Sequence, residues 1–543
     1  MLSSFGRNCP LVIAALSLSG CAHTAAAQTN AVRLGFGGTG LASIQYGGAE
    51  FLSNGDFSVQ KVTLRDSAGH NADAPTSPIN TTFDATQHKI KRVYPWGAVS
   101  CIYAASGNQL NLTIGVQNTS SQTLSGIWLQ AMEVKFPQTP QGWAPNYIYM
   151  GTNVGSPTVN YANYGTGALV ACNTDVTRPL LSGFPGRSST QVRPLWVCSS
   201  NIGWLSPMLD PYINRPIAPG SYDTYTISIR FGSPAAHEKE LASDIYAKYA
   251  KTYPQTLQWT DHRSVGALFL STSDPAHHSA KNPRGWFLDP NLDATSPDGA
   301  AAFKQKVLDY ADNSIKVLKG MNAQGMITWD IEGQEYPHAT SYIGDPRLVK
   351  TLAPEMDAVA DAYFKKFKDT GLKTGLCVRP QQLLHTAEKT EQQDLTDPVA
   401  IANLLYAKIA YANKRWGCTM FYVDSNGDPN VPFDPAIFKS VADKLAANKV
   451  QVMLMPEHQS TRYYAYTAPY DELRQNVTNT PDLVNAVYPQ AFSMIYTADG
   501  SIDANHDKLV AAVKHGDILL FRGWYDDPQN AQVKKIYTDA GMH

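Results

Sequence analysis

Acidic residues recur where apolar runs stop. In "GMITWDIEG" (325–333) the run gives way to Asp330 and Glu332, in "MFYVDSNG" (420–427) to Asp424, and in "VMLMPEH" (452–458) to Glu457 followed by His458. Asp330 and Glu332, two apart, share one face of an extended chain. Carboxyl groups brought together in this way can divide the labour of acid–base and nucleophilic chemistry, one ionised and the other protonated near neutral pH. Other polar groups occupy the same kind of position: Arg379 and Gln381 in "KTGLCVRPQQ", Tyr488 and Gln490 in "VYPQAF", and Arg522, Trp524 and Asp526 in "LLFRGWYDD". An acid after a strand often does no more than cap the next helix. Here Asp434, directly before Pro435, fits the cap better, which leaves Asp424 free. His277 and His278 lie in a loop-like stretch, and no other His or acid stands at metal-ligand spacing to them.

The elements that must position these groups alternate. Strand-like runs at 265–271, 325–333, 373–380, 419–427, 450–458, 486–496 and 517–527 are separated by helical patterns near 298–319, 348–368, 398–415, 434–447, 469–475 and 503–514, with a last helix after 527. Seven strands in this rhythm predict a TIM-type (β/α)8 barrel over 263–543 whose eighth strand is irregular or overlooked. In such a barrel the C-terminal strand ends converge on one mouth, where the acids and Arg379 would meet. No Gly-rich phosphate loop follows the first strand, so a doubly wound dinucleotide sheet is the weaker reading, and no cofactor is expected.

The first half has a different period. "LNLTIGVQN" puts Leu110, Leu112, Ile114 and Val116 on one face, and "YTISIRF" does the same with Tyr225, Ile227, Ile229 and Phe231. Period-two patterning broken by Gly, Asn, Ser and Pro predicts an antiparallel β-sandwich over 30–232. "AHEKELASDIYAKYAK" (236–251) carries Leu241, Ile245, Tyr246 and Tyr249 at helical spacing and predicts a helical linker within 233–262. The whole chain therefore reads as multidomain, a β-sandwich followed by a barrel.

Bulk properties narrow the partners. At 543 residues, 43% hydrophobic, the chain can bury more than one core, and 44 basic against 46 acidic residues give no electrostatic reason for a nucleic-acid partner. Residues 1–27 have the layout of an export signal: Arg7, the apolar run "PLVIAALSL", then small residues. "LSGC" resembles a lipoprotein box, through which a lipidated Cys21 would attach the chain to a membrane; "AAA" before Gln28 fits ordinary cleavage, releasing it to the periplasm or outside. Of the cysteines beyond the signal, Cys172 and Cys198 are the expected disulfide, with Cys377 a buried thiol in a strand.

Trp286, Trp329, Tyr336, Tyr422, Tyr463, Tyr464, Tyr466, Trp524 and Tyr525 cluster near the strand ends. Flat rings mixed with Asn, Gln, Arg, His and acids suit a carbohydrate, with rings under apolar sugar faces and polar groups on hydroxyls. On these residues the chain resembles exported glycoside hydrolases with a mutarotase-like sandwich before a barrel, and "MFYVDSNG" is similar to the fourth-strand segment of the α-galactosidase and α-glucosidase superfamily. The resemblance implies a nucleophilic role for Asp424. Glu457, on the neighbouring predicted strand at ~4.8 Å, is the expected acid/base of a retaining pair, which needs ~5 to 5.5 Å. Asp330 or Glu332 with Asp424 or Glu457 would form an inverting pair. Arg379 would orient Asp424, and Gln381, Trp329, His458, Tyr488, Gln490, Arg522, Trp524 and Asp526 would bind substrate. A non-catalytic carbohydrate-binding surface lipoprotein is the alternative from another class. A polysaccharide lyase is the third reading, weakened by the lack of a basic run for acidic sugars.

Overall fold

The computed structural model describes residues 30–139, 141–145, 155–178, 180–185, 190–200, 215–334, 343–385, 390–428 and 431–542. The segment read as an export signal, with Cys9 and Cys21, lies outside the described residues, as does Tyr336.

Strands from Arg33 to Gly232 form antiparallel sheets, two of which face each other across a common core. The alternation seen in the sequence becomes register: Leu110 pairs Ile229, Leu112 pairs Ile227 and Ile114 pairs Tyr225, all buried. Cys172 and Cys198 are not bonded; both are free, buried thiols. They belong to different sheets, and Cys172 faces away from the sandwich core into a cluster with the connecting helices. The expected disulfide is thus corrected: the loop-rich stretch between the two cysteines points to a pair, whereas their separate sheets keep them apart.

Helices Glu238–Leu241 and Ser243–Thr252 lead to eight parallel strands: β1 (Val265–Leu268), β2 (Gly325–Thr328), β3 (Lys373–Val378), β4 (Met420–Val423), β5 (Met453–Pro456), β6 (Tyr470–Glu472), β7 (Met494–Tyr496) and β8 (Ile518–Arg522). Their order is β5-β4-β3-β2-β1-β8-β7-β6, a barrel followed in both directions from β1. Ala468 N donates to Leu454 O (2.9 Å), linking β5 to the residues just before β6. Val265, Ala267, Ile327, Cys377, Met420, Tyr422, Met453, Met455, Tyr470, Met494, Ile518 and Leu520 fill the interior, while the alternate residues pack on the helices.

The overlooked eighth strand is β6. Its sequence, "YDE", follows Pro469 and holds two acids, a pattern of helix starts, so the sequence predicts a helical stretch near 469–475; a 3-10 turn, Leu473–Gln475, does follow it. The run 486–496 is also corrected. It contains the end of a helix, Asp482–Val487, and only then β7, so Tyr488 and Gln490 precede the strand instead of ending it. Tyr488 donates to Tyr253 O (2.8 Å) and packs against the connecting helices; Gln490 is exposed. Both are at the end of the barrel opposite the acids.

Candidate active site

Two ladder bonds carry the sheet one residue past its strands. Asp424 N donates to Val378 O (2.9 Å) and Glu457 N to Val423 O (3.0 Å). Because Tyr422 and Met455 point inward, period two makes Asp424 and Glu457 point inward as well, side by side at the mouth. The same parity brings in Arg379 from β3, Glu472 from β6, Tyr496 from β7 and Arg522 from β8.

Asp424 is held by Arg379, whose Nε lies 2.6 Å and whose second terminal nitrogen lies 2.5 Å from Oδ2. Arg379 also donates to Gln392 Oε1 (2.7 Å). Glu457 faces Asp424 within hydrogen-bonding reach and accepts from Ser425 N (2.8 Å). Burial first, then the charge of Asp424, pushes the Glu457 carboxyl up to about 7, against the opposing pull of Ser425 N and Arg379. Glu457 thus keeps a proton beside the Asp424–Arg379 pair near neutral pH. Ser425 has φ 56, a left-handed backbone that costs a non-glycine residue roughly 1–3 kcal/mol and is concentrated at functional sites. Asn426 ties the two loops: its side chain donates to His458 O and accepts from His458 N, both at 2.9 Å. His458 Nε2 lies 3.7 Å from Glu457 Oε2. Asp434 accepts from Ala436 N (2.8 Å) with Pro435 at the first helical position, so it does cap the following helix.

Below the carboxyls lies a floor of rings. Trp329 stacks between Phe269 (5.2 Å between centroids) and Tyr422 (4.9 Å), Tyr422 meets Tyr470 (4.9 Å), and Tyr470 meets Tyr496 (6.2 Å). Trp524 closes the row against Phe269 at 5.2 Å.

The remaining acids are placed differently. Asp330 is fully buried and turned outward, accepting from Leu270 N (2.8 Å), Ser271 N (2.8 Å) and Ser271 Oγ (2.7 Å); it fastens β2 to the end of β1. Glu332 is also fully buried, and neither of its oxygens has a hydrogen-bond partner among the described residues. Burial pushes it up to about 8. Gln381 donates to Ser425 O (2.9 Å). Arg522 is paired with Asp499 (2.6 Å) and Asp527 (3.1 Å), and Asp526 is exposed beside the helix that follows β8. His278 lies against the carbonyls of Thr272 and Pro283, and among the described residues no group of three His, Cys, Asp or Glu could hold a metal ion.

Sequence reasoning missed Glu472, Tyr470 and Tyr496. Glu472 accepts from Tyr470 Oη (2.8 Å) and from Arg474 (2.6 and 3.0 Å), giving β6, two strands along from Asp424, its own carboxylate at the mouth. A three-residue strand leaves no periodicity to read; the count of seven strands, one short of closure, was the available signal.

No protein-family model matches the chain, and no curated protein matches it. Among solved structures it is similar to a GH36 α-galactosidase from Geobacillus stearothermophilus in complex with stachyose, at 10% identity and TM-score 0.41, over 88% of this chain and 75% of that one. It is also similar to a β-arabinopyranosidase, at 9% identity and TM-score 0.42, over 93% and 84%. An α-L-fucosidase of family GH29 from Bacteroides thetaiotaomicron follows at 11% and TM-score 0.30, over 53% and 75%.

Proposed function

We propose that this chain is a glycoside hydrolase acting on an oligo- or polysaccharide at the mouth of the barrel. The observation that carries the reading is the Asp424–Glu457 pair: one carboxylate bound to Arg379, the other retaining a proton to about pH 7, above a floor of aromatic rings. A sugar ring sits at the mouth, above the floor to which Trp329 and Tyr422 belong. Glu457 gives its proton to the glycosidic oxygen while Asp424 attacks the anomeric carbon, forming a glycosyl ester and releasing the aglycone. Glu457, now a carboxylate, takes a proton from water, which attacks the same carbon and frees Asp424 with net retention. The resting carboxyls are closer than the ~5 to 5.5 Å of a working retaining pair. Glu457, with a side chain 32% exposed, is the member able to swing aside as the sugar enters. Arg379 and Gln381 position; Trp329 and His458 meet the sugar.

The Glu332 carboxyl, protonated to about 8 and without a hydrogen-bond partner among the described residues, carries one second reading, as the acid of an inverting reaction with Asp424 the base. The anomer first released, followed by proton NMR, separates the two. Incubation of the mature chain with a panel of 2-deoxy-2-fluoro glycosyl fluorides, followed by peptide mass spectrometry, tests the main reading. A glycosyl adduct on the peptide containing Asp424 supports it. Sugar binding without adduct or turnover, unchanged in Asp424→Asn and Glu457→Gln, would instead make the chain a carbohydrate-binding module. The export layout of residues 1–27 places this activity outside the cytoplasm in our reading, with Cys21 lipidation as the variable.

A further inference from the structure

Lys408 lies on the helix Pro398–Trp416, outside the mouth, and its side chain is wholly buried. Its ammonium donates to Arg379 O (2.7 Å) and Gln381 O (2.9 Å) and lies 3.7 Å from Asp345 Oδ2. These carbonyls flank Pro380, past the last strand pairing of β3, where the sheet offers them no partner. The same three-residue segment sends its side chains the other way, Arg379 to Asp424 and Gln381 to Ser425 O. A buried cation therefore grips one side of the segment whose other side grips the candidate nucleophile and the turn after it.

We propose that Lys408 is a positioning residue that fixes the Arg379–Gln381 strand end and so sets the Arg379 guanidinium against Asp424. This rests on the glycosidase reading for its purpose but not for its geometry. Burying an ammonium is costly unless it is paired and fully hydrogen-bonded, and a Met or Leu here would pack the helix with no such cost. The surrounding charged and titratable groups are Asp345, itself clamped by Arg347 (2.7 and 2.8 Å), the Glu332 carboxyl, the Cys377 thiol and Arg379. Burial outweighs Asp345 and brings Lys408 down to about 8, so the clamp is mainly a cation at neutral pH.

The test reads the carboxyl pair and needs no substrate. Arg379 is one of the groups that restrains the Glu457 proton. If Lys408 holds Arg379 in place, folded Lys408→Met lets Arg379 drift and the Glu457 midpoint rises by about one pH unit, the scale of a nearby opposite charge. The midpoint is followed by infrared titration of the protonated-carboxyl band and assigned by its loss in Glu457→Gln. An unchanged midpoint in the folded variant overturns the proposal and leaves Lys408 a buried counter-ion of Asp345. If Lys408→Met does not fold, Lys408→Gln replaces it, with the same two outcomes; its side chain is one bond shorter and cannot serve both carbonyls. A raised midpoint in a protein that cleaves no glycoside would uphold the positioning role and refute the glycosidase reading, so the two claims fail separately.

Discussion

At the scale of single residues, the decisive contrast is among four buried or half-buried carboxyls. Asp330 spends its oxygens on backbone and hydroxyl donors, Glu332 has none among the described residues, Asp424 has Arg379, and Glu457 keeps a proton beside Asp424. Asp424→Asn is expected to lower kcat by at least about 10³-fold while the chain stays folded, as loss of a covalent nucleophile does. If Glu457 is the general acid, activity falls as pH rises through about 7. In Glu457→Gln that alkaline limb disappears, and the residual rate becomes steeply dependent on leaving-group acidity, which a series of aryl glycosides would reveal. Much of this was legible in the sequence, because an apolar run ending in an acid is a pattern in itself, and Asp434–Pro435 identified the true cap. The separate environments of Asp330 and Glu332 were not legible: the turn after β2 rotates one toward β1 and the other beside Lys408, and spacing of two residues contains neither fact.

At the scale of elements, the mouth depends on loops that are pinned to one another. Asn426 satisfies both backbone groups of His458, so Asn426→Ala removes two bonds and leaves partly buried groups unpaired. A loss of about 2–3 kcal/mol is expected, read from the urea midpoint at constant m-value, together with a fall in kcat. Long amphipathic helices and five-residue apolar runs are readable because their periodicity is repeated; β6 is not, since three residues show a single alternation and "PYDEL" carries a helix-start signal. What makes it a strand is the sheet, through its pairing of Tyr470 with Met494 and Glu472 with Tyr496. The fold was therefore legible to within one strand, and that strand carried the acid, Glu472, that completes the mouth.

Across the whole molecule, buried titratable groups set a pH signature of stability. Glu332 (to about 8), Asp471 (to about 7) and Glu457 (to about 7) have folded-state values above their ordinary ones, so the folded chain binds more protons than the unfolded chain between about pH 4 and 8. Their contribution to stability falls as pH rises through that window. Lys408, lowered to about 8, works the other way: its burial cost is present below 8 and is relieved as pH rises toward the ordinary lysine value. Above that pH the lysine is outweighed by five buried thiols, Cys101, Cys172, Cys198, Cys377 and Cys418, all raised by burial, so urea midpoints measured from pH 4 to 10 should keep falling, and Glu332→Gln should flatten the part between about 4 and 8. The sandwich and barrel are joined by a buried cluster in which Tyr246 and Tyr249 of the connecting helix meet Cys172 on one side and Tyr464, Tyr466 and Tyr488 on the other. Tyr249→Ala, costing about 3–5 kcal/mol as a buried aromatic truncation does, should split a single calorimetric transition into two. The nucleophilic role of Asp424 is read out in one kinetic comparison: hydrolysis of a panel of nitrophenyl glycosides by the wild-type chain and by Asp424→Asn. The wild type should turn over at least one glycoside, with turnover lost in the variant and partly restored by azide as a glycosyl azide; undiminished turnover in Asp424→Asn would exclude Asp424 as the nucleophile.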